Sequence, residues 1–142
     1  MWSVKGIHPG CKRTHSVLSV VSDSVDANAI TKLLSIEPTS MELKRDFKRT
    51  VEITKHGWYL STEGIVEGND TSEHLDWLIG KLERKGNEIN EPQNDGCMDA
   101  VCCYWWAEYK LGTPILGPIQ MRRLVDLNIP IGWVIRPDED TE

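Results

Sequence analysis

The chain has 142 residues, a formal net charge of −6, 39% hydrophobic residues and 27% charged residues. That length suits one domain with its own core, and the acidic balance argues against nucleic acid as a general partner, because neutralising phosphates needs a basic surface. No apolar run approaches the ~18 residues of a membrane helix.

The opening stretch, MWSVKGIHPGCKRTH, has neither a long apolar run nor a small-residue cleavage site. It therefore reads as no secretory signal, and a cytoplasmic protein is expected. In that compartment the four cysteines are expected as free thiols. Residues 1–14 read as an N-terminal arm, 15–136 as a single domain and 137–142 as an acidic tail.

The first element is a strand over His15–Val21, rich in β-branched residues. A helix follows, with Asp26 at its N-cap and Val25 spaced from Ile30 as a hydrophobic staple. Ala27, Ile30, Leu33 and Leu34 form its buried stripe, and Pro38 forbids its continuation. Two strands come next, Ser40–Arg45 and Val51–Thr62, the second broken or bulged at His56-Gly57.

The strongest helical signal is DTSEHLDWLIGKLERKG. Asp70 and Glu73 have capping-box spacing, with Asp in place of Ser or Thr. Leu75, Leu78, Ile79 and Leu82 form the core face, and Gly86 stops the helix. Trp77 falls about 200° from Leu75, nearly opposite the core, so it is either an exposed anchor or covered by another element such as the N-terminal arm.

Residues 86–98 read as a loop. In CCYWWAEY, 102–109, alternation puts Val101, Cys103, Trp105, Ala107 and Tyr109 on one face. Ala100, Cys102, Tyr104, Trp106 and Glu108 take the other. Both faces are apolar, which predicts a central strand covered on each side. A last helix opens at Gly117-Pro118, with Met121, Leu124 and Val125 inward, and ends near Asn128. IPIGWVI, 129–135, is the final strand. The order β-α-β-β-α-β-α-β predicts an α+β domain with one mixed or antiparallel sheet and three helices.

Four stretches carry a resemblance. They are Asp26, Ile30, Leu33-Leu34 and IEP at 36–38; GWYLS at 57–61; HLDWLIGKL at 74–82; and MRRLVDLNIPI at 121–131. In these the chain is similar to the bacterial domain-of-unknown-function family 4279. The motifs are core and turn positions, so the resemblance implies the fold and no activity. It implies a glycine before the acidic residue that ends the second strand, where this chain has Arg45-Asp46.

No residue pattern compels a chemistry. His8, Cys11 and His15 are loosely ligand-like, but zinc would need a distant fourth ligand such as Cys97. Adjacent Cys102 and Cys103 lack the spacing of a zinc knuckle and would face opposite ways on a strand. GTPILGP lacks the lysine and the setting of a phosphate loop. His56 reads as shaping a turn and His74 as structural. No nucleophile–base pair is recognisable, no catalytic residue or cofactor is implied, and the enzyme reading is the weaker one.

Charge, however, is uneven. Residues 44–55 hold five Lys/Arg, whereas from His56 to Gly80 there is none and Glu63, Glu67, Asp70, Glu73 and Asp76 are acidic. Trp77, with Glu73, Lys81 and Arg84 at neighbouring helical spacings, reads as an aromatic anchor in a polar rim. The leading expectation is a non-catalytic protein-binding module. An immunity or inhibitor protein is the specific form, using Trp77, Glu73, Lys81, Arg84, Glu63, Glu67 and Asp70 to mask a basic partner such as a toxin domain. The alternative is an enzyme or small-ligand binder with a cleft of Trp58, Tyr104, Trp106 and Glu108.

Overall fold

A computed structural model describes residues 11–84, 97–107 and 114–136. Its elements are β1 (Cys11–Ser22), α1 (Ala27–Leu34), β2 (Ser40–Glu42), β3 (Phe47–Lys48), β4 (Val51–Glu52), β5 (His56–Ser61), α2 (Thr71–Glu83), β6 (Met98–Ala107), α3 (Pro118–Leu127) and β7 (Ile131–Arg136). Five strands form a sheet in the order β2-β5-β1-β6-β7, and β3 and β4 make a separate two-stranded hairpin. Every pairing in the large sheet is antiparallel except β6 with β7, so the sheet is mixed. The architecture is α+β, with three helices among the described residues.

Central β1 shows why the sheet has a wet and a dry side. Thr14, Ser16, Leu18, Val20 and Ser22 are buried, while the residues between them are half-buried or exposed, as the two-residue period of a strand requires. The dry face continues through Trp58 and Leu60 of β5 and Val101 and Cys103 of β6. Ala27, Ile30 and Leu34 of α1 and Leu75, Leu78, Ile79 and Leu82 of α2 pack on it. Each such aliphatic side chain contributes about 1.5–3 kcal/mol on burial.

The caps follow their side-chain chemistry. Asp26 accepts from the Asn28 N–H at 2.7 Å and Asp70 from the Ser72 N–H at 2.9 Å, each satisfying an orphan donor of a first helical turn. Ser35 and Asn128 close α1 and α3 in the left-handed conformation, which Asn adopts readily.

Several expectations need correction. β1 begins at Cys11, inside the stretch expected as an arm. The strand expected over 51–62 is two strands in different sheets, interrupted at residues 53–55 and not at His56-Gly57. There Arg45 donates to the Ile53 carbonyl at 2.8 Å and Ile53 to the Asp46 carbonyl at 2.7 Å, closing a side excursion that carries the β3–β4 hairpin. Gly57 instead makes room for a ring: a Cβ there would collide with Tyr59 of its own strand. α2 ends at Glu83, and Gly86 lies outside the described residues.

The largest correction concerns α3. Gln120, Leu124 and Leu127 are its buried residues, while Met121 and Val125, expected inward, are exposed. Gln120 takes an inner position because its amide has partners there. Its Nε2 donates to the Ser72 carbonyl at 3.0 Å and to Asp76 Oδ1 at 3.1 Å.

Candidate functional site

Position decides what each candidate residue can do. Trp58 is fully buried on the helix-covered face, its Nε1 donating to Thr31 Oγ1 at 3.0 Å. Tyr104 and Trp106 stand on the opposite face of the sheet, half-buried. The expected cleft of Trp58, Tyr104 and Trp106 is therefore not formed, since alternation sends these rings to opposite sides. Glu108 lies outside the described residues.

What Tyr104 and Trp106 build instead is a short ladder of rings. His15 of β1 pairs opposite Tyr104, and the two rings stack at 4.9 Å. Trp106 lies 5.6 Å from His15, and the Arg13 guanidinium sits 4.1 Å over Trp106. Burial lowers the His15 pKa below 6.5, while Glu63, 3.7 Å away, pulls it up and Arg13 pushes it down. No helix among the described residues packs on this face, and its β6 side chains are half-buried. Among the described residues this face is a surface of stacked rings.

Beneath the helices lies a buried polar chain. Ser16 N–H donates to Thr62 Oγ1 at 2.9 Å, Thr62 Oγ1 meets His74 Nδ1 at 2.6 Å, and His74 Nε2 meets the Gly68 carbonyl at 3.1 Å. A carbonyl only accepts, so Nε2 carries the proton and Nδ1 accepts from the Thr62 hydroxyl. Every group in the chain is satisfied by its neighbour. This histidine ties the 62–70 loop to the sheet, which is a structural task.

Cys103 is fully buried, and Ser16 Oγ lies 3.3 Å from its sulfur. Burial pushes its thiol up to about 12, and the neutral thiol is a poor nucleophile. Cys102 is half-buried on the other face. Among the described residues no three His, Cys, Asp or Glu side chains converge as metal ligands; His8 of the loosely zinc-like stretch lies outside them.

The residues that do converge are those around Trp77. Trp77 and Lys81 of α2 and Arg84 at its C-cap line a groove of about 510 Å³ with Ile36, Leu60 and Ile65. Its other wall is the 35–39 segment, held to the sheet by Thr39 N–H donating to the Tyr59 carbonyl at 2.7 Å. Trp77 is half-buried and packs against the main core, between the exposed and covered alternatives. The helical angle turns Trp77 away from the core stripe, and the 35–39 segment, remote in sequence, faces it across the groove. Lys81 Nζ lies 5.2 Å from the ring centroid, a cation–π contact that fixes the charge at the mouth.

The other expected partner residues divide. Asp70 is buried as the N-cap of α2 and is not available to a partner. Glu63 and Glu67 are exposed on the loop that brings Ile65 to the groove. Glu73 is half-buried in the first turn of α2. Asp76 is held by Arg123 at 3.0 Å. The groove itself is lined by two cations and by Glu37. The contribution of the 35–39 wall left no signal in the sequence, because nothing local links Pro38 to Trp77.

Fold and groove together define an α+β protein whose described helices lie on one face of the sheet, with a half-buried tryptophan beside two cations. The chain belongs to the family described as Domain of unknown function (DUF4279), whose model matches residues 12–137. No curated protein and no solved structure matches it significantly.

Proposed function

We propose that this chain is a non-catalytic protein-binding module that captures an extended segment of a partner in the groove between α2 and residues 35–39. The observation that carries the reading is the convergence of Trp77, Lys81 and Arg84 on an apolar floor of Ile36, Leu60 and Ile65. A half-buried ring beside charged side chains is the composition of an interface anchor with its polar rim.

The charge of the groove selects the occupant. Lys81 and Arg84 outnumber Glu37 among its lining charges, while Asp70 and Asp76 of the acidic stretch are engaged within the fold. The reading is therefore of a segment that places an apolar side chain on Trp77 and a carboxylate near Lys81 and Arg84. This replaces the basic partner expected from overall charge, because local complementarity sets register and specificity.

Selection from a displayed random-peptide library tests this. Enriched sequences should pair an Asp or Glu with a nearby aliphatic or aromatic residue. Affinity for a selected peptide should fall by at least about tenfold in Lys81→Glu and Arg84→Glu, which alter side chains at the groove mouth. No enrichment, or peptides whose binding ignores both substitutions, defeats the proposal.

A further inference from the structure

Helix α3 turns Gln120, Leu124 and Leu127 inward and leaves Ile119, Met121 and Val125 at 74%, 48% and 75% exposure. Met121 and Val125 stand one turn apart on the same flank of the helix. Beside them Arg122 and Asp126 form a second row, also one turn apart and both exposed. Neither has an ion-pair partner among the described residues, whereas Arg123 on the inner side is held by Asp76 and Glu83. Past Val125 the surface runs into an open groove of about 820 Å³, lined by Met98, Ala100, Ile129 and Pro130 together with Asp99 and Asn128. Met98 at its edge is 64% exposed.

Scattered apolar residues on a surface need no explanation, but a ridge continuous with a groove marks an association site. We infer that this face binds a second copy of the chain, α3 against α3 across a two-fold axis. The order of the charges argues for a copy over an unrelated protein. An antiparallel contact centred between residues 123 and 124 brings Met121 to within one residue's rise of Val125 of the second copy. The same contact brings Arg122 equally near in register to Asp126 of the second copy, and symmetry repeats both pairs in reverse. One placement thus satisfies the ridge and both charges. A parallel contact would instead bring the two Arg122 side chains together and repel.

The full chain suffices for the test. Light scattering on protein from ~1 to ~300 μM should report a dimer that fills in with concentration. Arg122→Asp and Asp126→Arg should each weaken dimerisation by at least about tenfold, with the circular dichroism spectrum unchanged because both side chains are exposed. The double variant Arg122→Asp/Asp126→Arg should recover the dimer, since it only exchanges the two signs. Val125→Glu should be monomeric. A monomer at every concentration, a dimer indifferent to the single reversals or to Val125→Glu, or a double variant as weak as the singles overturns the inference.

Discussion

His74 Nδ1 lies 2.6 Å from Thr62 Oγ1, and in the neutral ring, with its proton on Nε2 facing the Gly68 carbonyl, that nitrogen accepts from the hydroxyl. The neutral imidazole is thus part of how the 62–70 loop is held, and charging it conflicts with the fold.

Stability should therefore depend on pH. Burial lowers the folded pKa of His74 below 6.5, although its hydrogen bond to the Gly68 carbonyl pulls the other way. The unfolded chain takes the proton more readily, so the contribution is complete above pH 6.5 and is lost as pH falls below it toward the folded value. His15, also lowered by burial, acts in the same direction. Urea midpoints should drop between ~pH 7.5 and ~pH 5.5, and His74→Gln should flatten that dependence. Equal slopes in variant and parent would assign the effect elsewhere.

The two tryptophans on either side of the core should differ sharply. Trp58 is fully buried and hydrogen-bonded to Thr31, so Trp58→Ala should cost about 3–5 kcal/mol. Trp77 is half-buried at the groove, and Trp77→Ala should cost only about 1–2 kcal/mol. Chemical denaturation of both variants measures the gap. Similar losses would mean that Trp77 belongs to the core and not to a binding surface.

Thiol chemistry should follow the faces of β6. Cys102 is half-buried on the face opposite the described helices, whereas Cys11, Cys97 and Cys103 are buried. Native protein exposed briefly to an alkylating reagent should carry the label first at Cys102, read by peptide mass spectrometry. Cys103, with its thiol pushed up to about 12, should react only after unfolding. Early labelling of Cys103 would contradict its placement.

Arg123 ties α3 to α2. Its Nε and Nη2 donate to the two Glu83 oxygens at 3.0 and 2.8 Å, and its Nη1 donates to Asp76 at 3.0 Å. The carboxylates are well exposed, so Arg123→Ala should cost only about 1 kcal/mol despite the forked geometry. Most of that loss should vanish at high salt, because the fork is open to solvent. A salt-independent loss would point to packing by the arginine stem instead.

Local chemistry alone determined much of this fold. The caps at Asp26 and Asp70 were legible because a carboxylate before an apolar stripe has a free helical N–H to accept. The core faces of α1 and α2 and the alternation of β6 were legible from spacing, since backbone geometry fixes which side chains share a face. Tertiary structure decided what lay against each face. Spacing alone could not tell that Gln120, and not Met121 or Val125, points inward, because that depends on Ser72 and Asp76 of another helix. Nor could it separate β4 from β5, since the excursion is closed by Arg45 meeting Ile53 across the chain. Trp77 shows both levels together. Its angle on α2 was readable from periodicity, but the groove exists only because residues 35–39, far away in sequence, fold back beside the ring. Contacts that close a long loop leave no periodic trace in either partner, and only the packed structure brings the two together.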